Sequence, residues 1–162
     1  LNLAPRSYEL GTVHRAENTD NQQRLRSILD GFADSDHSVV LPLHPRTLKQ
    51  LDLFNFKLPS NVCAIDPVGY LDMLMLEKNA CLIATDSGGV QKEAYFYEIP
   101  CVTLRDETEW VELVQHGWNT LAPPNNSNIG ETITKMIGKS GIKANLYGNG
   151  DAAIKIVNHF QC

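Results

Sequence analysis

The sequence lacks the features that mark membrane-spanning and nucleic-acid-binding proteins. It contains no apolar run near the roughly 18 residues that a membrane-spanning helix requires. Positive charge is also scarce, because 14 lysines and arginines are outnumbered by 19 acidic residues, which gives a net charge of −5. A surface of that sign repels the phosphate backbone of a nucleic acid. We therefore expect no membrane and no nucleic acid among its partners.

Cysteine is sparse, and its spacing indicates neither a metal site nor a disulfide framework. The four cysteines are Cys63, Cys81, Cys101 and Cys162, and none of them forms a Cys-x-x-Cys pair. Three of them lie in predicted strands, where we expect small buried thiols. Free thiols fit a reducing compartment, so we expect a cytoplasmic protein without a bound metal.

Length and composition predict one domain over residues 1–162. A chain of 162 residues can bury a substantial core, and its apolar fraction of 43% and charged fraction of 20% are ordinary for a globular protein. No internal repeat or low-complexity linker divides it. A strand pattern begins by Tyr8 with little sequence before it, so we expect a fragment of a longer protein.

Strand and helix patterns alternate along the chain. The first predicted helix has Leu25, Ile28 and Phe32 at helical spacing, with Thr19 or Asp20 as a plausible cap. Such alternation implies right-handed crossovers and a doubly wound parallel sheet of the α/β class, covered by helices on both faces. The strands are predicted at 8–13, 39–43, 62–65, 81–85, 101–104 and 119–121, and the helices at 21–33, 45–54, 70–79, 90–97, 108–115, 128–138 and 151–160.

The segment Thr85–Glu93 predicts an anion-binding turn, because it joins an apolar strand to a helix through Ser-Gly-Gly. Gly88 and Gly89 let backbone N–H groups approach a ligand closely, and the helix dipole favours negative charge there. Ser87 adds a hydroxyl group, whereas Glu93 suits a pair of sugar hydroxyls better than a phosphate. The local chemistry therefore indicates a nucleotide, although an ordinary strand–helix turn fits the same residues.

Polar residues also follow the other predicted strands. Ligands of open α/β sheets bind beyond the carboxyl ends of the strands, which all lie at one edge. Five loops at this edge contain two histidines, three arginines and several carboxylates, and this concentration favours a functional site. The five segments are His14–Asn18, His44–Arg46, Asp66–Tyr70, Asp86–Gly89 and Arg105–Glu109.

Six motifs carry a resemblance to a known family. They are His14–Asn18, Pro42–Pro45, Asp66–Pro67 with Tyr70–Leu71, Thr85–Glu93, Arg105–Glu109 and Asn145–Gly150. In this order, and over nearly the whole chain, they resemble the C-terminal half of the non-hydrolysing UDP-N-acetylglucosamine 2-epimerases. The resemblance implies a GT-B type fold, in which two Rossmann-like domains enclose the active site. This chain would be the second domain, and the N-terminal domain would be absent.

The resemblance also implies an activity. Members of the family are isomerases that interconvert UDP-GlcNAc and UDP-ManNAc by eliminating UDP and adding it back, without a cofactor. His14 would be the catalytic residue beside the diphosphate, as a donor to the leaving group or a proton carrier. The catalytic carboxylates of the family belong to the absent domain, so this chain alone would be inactive. The full-length protein would be a homodimer with a UDP-sugar ligand.

Matching the motifs residue by residue assigns further contacts. Arg15 and His44 match positions at which some bacterial members bind a second, activating UDP-GlcNAc. Two of the matched residues also fit a structural role: Met73 could belong to the helix core, and Arg105 could form an ion pair with a neighbouring acid. Asp86 is expected to form the turn rather than catalyse. The residues matched to UDP are Val68, Met73, Ser87, Gly88, Gly89, Glu93 and Arg105.

The chain departs from the family at three positions near the diphosphate. Trp110 and Val111 replace an Arg-Pro pair whose arginine contacts the nucleotide in many members, and Lys92 replaces an acidic residue. Two other readings therefore remain open. One is the nucleotide-binding domain of a GT-B glycosyltransferase or of a hydrolysing epimerase. The other is a non-catalytic module that binds a nucleotide sugar.

Overall fold

Six short strands form one sheet in the computed structural model, which describes residues 3–125 and 128–160. They are β1 (Tyr8–Thr12), β2 (Ser38–Pro42), β3 (Val62–Ile65), β4 (Leu82–Thr85), β5 (Cys101–Thr103) and β6 (Asn119–Leu121). All neighbouring strands are parallel, in the spatial order β3-β2-β1-β4-β5-β6. The chain thus builds the sheet outward from β1 and then outward from β4 in the opposite direction. The predicted doubly wound α/β sheet is confirmed.

Helices lie along the chain between and after the strands. They are α1 (Ala16–Thr19), α2 (Gln22–Ala33), α3 (Pro45–Leu53), α4 (Tyr70–Asn79), α5 (Gly88–Phe96), α6 (Val111–Gln115), α7 (Ile129–Met136) and α8 (Ala152–Phe160). The cap predicted for α2 is wrong. Asn21, and neither Thr19 nor Asp20, accepts hydrogen bonds from the N–H groups of Gln23 and Arg24. Thr19 is instead the last residue of α1. This helix has four residues, which are too few to show a helical period in the sequence.

Two apolar layers cover the two faces of the sheet. Phe32 of α2 and Ile133 of α7 are fully buried on one face, where they belong to the same cluster as Val102 of β5. On the other face, Ala94 of α5 shares a cluster with Leu10 of β1. Alternate residues of each central strand therefore enter opposite layers, which fixes the register of the sheet.

The cysteines are buried to different degrees. Cys101 is buried and Cys81 is partly buried, but Cys63 is exposed, so its predicted burial is wrong. Cys63 is exposed because it belongs to β3, which lies at the edge of the sheet. Burial raises the pKa of Cys81 to about 11 and that of Cys101 to about 12, so both stay as thiols at neutral pH. Cys162 lies outside the described residues.

The last helix, α8, is exposed along its whole length. Its apolar residues Ile154, Ile156, Val157 and Phe160 are all more than half exposed. This apolar surface of α8 therefore has no cover within the described part of the chain. No helix within residues 3–125 and 128–160 combines the length and the apolar character that crossing a membrane would require.

The strand order brings the carboxyl ends of β1 and β4 together. Leu10 pairs with Ile83, and Thr12 pairs with Thr85 at the end of both strands. The winding of the sheet reverses between these two strands, and open α/β sheets bind ligands in the crevice at such a reversal. The topology therefore predicts a site between the loop after β1 and the turn after β4.

Candidate functional site

An open cleft of about 180 Å³ lies at the reversal point. Its lining comes from the ends of β1 and β2 and the loops after them, from the turn after β4, from the loop before α4, and from α4 and α5. The topology thus brings together residues that are far apart in sequence. Five of the predicted site residues line the cleft together: His14, His44, Val68, Met73 and Ser87.

A buried carboxylate holds the loop that contains His14. Asp86 has 0% exposure, and it accepts hydrogen bonds from the backbone N–H groups of His14 at 3.1 Å and Arg15 at 3.0 Å. The side-chain amide of Asn18 donates to it at 3.1 Å, and His14 Nδ1 lies 3.1 Å away. Since a carboxylate only accepts, Nδ1 is the protonated nitrogen, and Nε2 is the one that remains for a ligand.

A hydrogen-bonded network extends this anchor into the protein. Asn18 Nδ2 also donates to the Leu104 carbonyl at 2.8 Å, and Asn18 Oδ1 accepts from Arg24 Nε at 2.9 Å. The buried Arg24 guanidinium reaches Asp106 at 2.9 Å. Asn18 therefore organises the loop after β1 through its hydrogen bonds. Asp86 was expected to form the turn rather than catalyse, and its side chain also crosses to the loop after β1.

The helix α5 begins two residues earlier than predicted. Both Gly88 and Gly89 belong to its first turn, where backbone N–H groups have no partner within the helix. Ser87 is the cap, and its Oγ accepts a hydrogen bond from Val90 N at 3.4 Å. The hydroxyl hydrogen of Ser87 therefore remains for a ligand. Free N–H groups, a hydroxyl donor and the helix dipole all favour an anion at this helix start.

A carboxylate from the loop after β5 already touches this helix start. A Cβ atom added to Gly88 would collide with Glu109 Oε1. Glu109 Oε2 is 2.7 Å from Arg105 Nη1, and Oε1 is 3.9 Å from Arg15 Nη2. The hydrogen bond from its own backbone N–H, together with Arg105, lowers the pKa of Glu109. The predicted ion pair of Arg105 with a neighbouring acid is confirmed, and Glu17 lies 3.7 Å from Arg105 Nε.

Trp110 packs over the same helix start. Its indole N–H donates to the Gly88 carbonyl at 2.8 Å. Lys92 Nζ lies 4.2 Å from the Trp110 ring centroid and 4.1 Å from that of Tyr147, so two cation–π contacts hold this ammonium. The tryptophan that replaces the usual arginine thus supports the helix start directly. It also helps to hold a lysine one turn further along the helix.

Two carboxyl groups meet between α4 and α5. Glu93 Oε1 is 3.3 Å from the Tyr70 hydroxyl, and the negative charge of Glu93 raises the pKa of Tyr70. Glu77 is fully buried, and the Glu93 carboxyl group lies next to it. Burial and then the charge of Glu93 raise the pKa of Glu77 to about 8. Sequence reasoning missed Glu77, although its spacing from Tyr70 and Met73 puts all three on one helix face.

Comparison with known families identifies the chain. The family model described as UDP-N-acetylglucosamine 2-epimerase matches residues 1–161. The chain belongs to this epimerase family. The family predicted from the six motifs is thereby confirmed, and similar structures include epimerases and a glycosyltransferase, which agrees with the predicted C-terminal half of a GT-B type fold.

Three relatives show how much of the family architecture the chain covers. A UDP-N-acetylglucosamine 2-epimerase homolog of Methanococcus maripaludis is 48% identical over 161 residues, which cover 97% of this chain and 45% of the relative. A UDP-2,3-diacetamido-2,3-dideoxy-D-glucuronate 2-epimerase of Pseudomonas aeruginosa is 47% identical, with 93% and 43% covered. The Methanocaldococcus jannaschii UDP-GlcNAc 2-epimerase in complex with UDP-GlcNAc and UDP has a TM-score of 0.86 and 42% identity, with 98% and 46% covered. The chain spans less than half the length of these relatives.

Proposed function

We propose that residues 1–162 form the UDP-binding domain of a UDP-GlcNAc 2-epimerase. The observation that carries this proposal is the cleft at the reversal point of the sheet. There, His14 on its buried carboxylate support and Ser87 at the start of α5 line one opening. A proton carrier beside an anion-binding helix start suits a reaction in which a nucleoside diphosphate leaves.

The chemistry of the cleft supports one orientation of UDP. The diphosphate binds at the start of α5, on Ser87 and the N–H groups of Gly88 and Gly89. The uracil lies against Val68 and Met73, which line the cleft, and Met73 also packs on the apolar layer beneath it. Further along α5, the Glu93 carboxylate accepts hydrogen bonds from the two ribose hydroxyls.

In the proposed reaction, the C1–O bond to the diphosphate breaks as a base removes the proton from C2. The products are 2-acetamidoglucal and UDP, and re-addition of both the proton and UDP with opposite configuration at C2 completes the epimerisation. When both ring nitrogens of His14 carry protons, Asp86 holds Nδ1 and Nε2 donates to the leaving oxygens. The role of this chain is to stabilise the departing UDP, while the base at C2 belongs to the N-terminal domain.

The arginines and the second histidine have proposed roles at the edge of the cleft. Arg105 binds the diphosphate by exchanging its carboxylate partner Glu109 for phosphate. Arg15 and His44 bind a second UDP-GlcNAc, which is supported by the 5.7 Å separation between the ring centroids of His44 and His14. A second ligand that contacts His44 would therefore lie beside the reacting one.

The exposed helix α8 and the length of the relatives support a further domain as partner. Ile156 and Phe160 are exposed on α8, and the relatives are more than twice as long as this chain. We propose that α8 packs on an N-terminal domain and that the complete enzyme is a cytoplasmic homodimer.

We expect no conversion of UDP-GlcNAc by this chain alone in a coupled assay or by proton NMR. Turnover by these 162 residues would contradict the proposal that the N-terminal domain supplies the base at C2.

A second candidate substrate is a UDP-linked diacetamido sugar acid. The Pseudomonas aeruginosa relative named for such a substrate is nearly as similar to this chain, at 47% identity, as the UDP-GlcNAc 2-epimerase homolog at 48%. The proposed UDP contacts are the same for both substrates, because they involve only the nucleotide. Assays of the complete enzyme with each sugar would distinguish the two.

Titration of UDP into this chain by calorimetry tests the binding mode. Glu93→Ala should weaken UDP binding about tenfold or more, because two hydrogen bonds to a charged acceptor are lost. Ser87→Ala should weaken it about threefold to tenfold by removing a donor and the helix cap. Glu109→Gln should instead tighten binding several-fold, because it removes a negative charge at the helix start and releases Arg105.

The matched control is Glu131→Gln, which removes an exposed ion pair with Lys135 on α7. Its UDP affinity should equal that of the unmodified chain. The proposal fails if the folded chain shows no saturable binding at millimolar UDP. It also fails if Glu93→Ala binds UDP as tightly as the unmodified chain does.

A further inference from the structure

Glu77 is a buried acid to which the proposed binding mode gives no role. Its exposure is 0%, and neither Oε1 nor Oε2 receives a hydrogen bond from an N–H or O–H donor within the described residues. A carboxylate buried without a cation or a donor is very costly. The group is therefore stable in this position only as a neutral acid.

Within the part of the chain that the structure describes, the groups that act on the Glu77 carboxyl supply no positive charge. The titratable groups that interact with it are Glu93 on α5, Tyr70 two helical turns earlier on α4, and Cys101 on β5. Of these groups, the Glu93 carboxyl acts most strongly on the Glu77 carboxyl, and two neighbouring carboxyl groups hold a proton between them. Because Glu77 is buried and Glu93 is partly exposed, the proton resides on Glu77.

We propose that Glu77 is a positioning residue for the nucleotide, whose protonated carboxyl group donates to Glu93 and fixes the Glu93 carboxylate for the ribose hydroxyls. The inference rests on the proposed function, in which Glu93 binds the ribose. Glu93 is then held from two sides, by the Glu77 acid beneath it and by the Tyr70 hydroxyl at 3.3 Å. A carboxylate oriented before the ligand arrives costs less to order on binding.

Loss of this proton would disturb the nucleotide site. Above about pH 8, ionised Glu77 no longer donates and places a second negative charge against Glu93. The affinity for UDP should therefore fall as the pH rises through this range. Conversely, bound UDP favours the protonated form of Glu77, so saturation with UDP should raise the pKa of Glu77.

The test is UDP calorimetry at pH 6.5, 7.5 and 8.5 on the unmodified chain and on Glu77→Gln and Glu77→Leu. The glutamine amide is a donor at every pH, so Glu77→Gln should bind UDP normally at pH 6.5. It should also bind UDP about threefold or more tighter than the unmodified chain at pH 8.5. Glu77→Leu has no donor and should bind UDP several-fold more weakly at pH 6.5. Comparison at equal pH cancels the titration of the ligand itself.

The matched control is Glu9→Gln, which alters another fully buried acid whose pKa burial raises. Glu9 hydrogen-bonds to Ser35, away from the cleft, so the pH dependence of UDP binding should be unchanged. In the unmodified chain, carbon NMR of the glutamate carboxyl groups should show a higher pKa of Glu77 with UDP than without. This readout does not depend on any variant folding.

The possible failures can be told apart. If Glu93→Ala weakens UDP binding but the chain and Glu77→Gln have parallel pH profiles, the role of Glu77 is overturned and the proposed function stands. An unchanged pKa of Glu77 on UDP saturation has the same meaning. If the folded chain does not bind UDP, the proposed function falls, and the role of Glu77 falls with it.

Discussion

Asp86→Ala should lower the free energy of unfolding by about 3–5 kcal/mol, as measured by urea denaturation monitored by circular dichroism. The buried carboxylate is the shared acceptor for the N–H groups of His14 and Arg15 and for the Asn18 amide. Its removal leaves the partly buried N–H groups of His14 and Arg15 without this acceptor and takes one of two acceptors from the Asn18 amide, and each such loss costs about 1–3 kcal/mol. Since domains of this size are marginally stable, the variant should be close to unfolding at 37 °C.

One further variant separates the charge of Asp86 from its hydrogen bonds to the loop, and a second variant is a control at an exposed ion pair. Asp86→Asn keeps an acceptor for the loop but loses the negative charge, so it should cost less than Asp86→Ala. Asp20→Ala removes an exposed pair in which Asp20 lies 2.8 Å from Arg46, and it should cost less than about 1 kcal/mol. If Asp86→Ala were as mild as Asp20→Ala, other contacts would have to hold the loop after β1.

The second large effect that we expect is a fall in the free energy of unfolding between pH 6 and 8.5. The pKa of Glu77 is about 8 in the folded chain against 4.5 as its ordinary value. Its contribution to stability is therefore fully present below pH 4.5 and is lost as the pH rises through 8. Between pH 6 and 8 the free energy of unfolding should fall by about 2 kcal/mol, because unfolding releases one proton. Glu77→Gln should remove this fall in denaturation curves measured at each pH.

Glu9 provides the comparison for this experiment. Burial raises its pKa as well, so it contributes a pH dependence of the same sign that Glu77→Gln leaves in place. The double variant with Glu9→Gln should have the flattest profile. The thiols of Cys81 and Cys101 stay protonated in the folded state over this range. Equal slopes for the unmodified chain and Glu77→Gln would show that Glu77 does not carry the proton.

The sequence predicts the fold well where local pattern and tertiary packing agree. The bounds of β3, α4 and β6 are those predicted, because turn residues flank each segment. The start of α6 is later than predicted, because Thr108 donates to Gln91 of α5 at 2.6 Å and stays in the loop. The start of α5 is earlier, because Ser87 caps a helix that accommodates two glycines in its first turn.

The candidate site is predictable as a set of loops but not as a set of contacts. Strand ends and motifs indicated the shared edge, and His14, Met73 and Ser87 do line one cleft. The partners of these residues depend on distances that no local pattern encodes. Asp86 contacts a loop about 70 residues away, and Glu109 reaches the start of a helix that precedes it in the chain.

The anchoring of two loops by one side chain has a consequence for motion. Asp86 belongs to the turn after β4, yet it binds the backbone on the other side of the cleft at His14 and Arg15. Because these hydrogen bonds join the two sides, we expect the two loops to move together. If the complete enzyme opens and closes around its substrate, the hinge must lie outside this pair of loops. The spacing between the histidine and the helix start would then stay constant throughout the cycle.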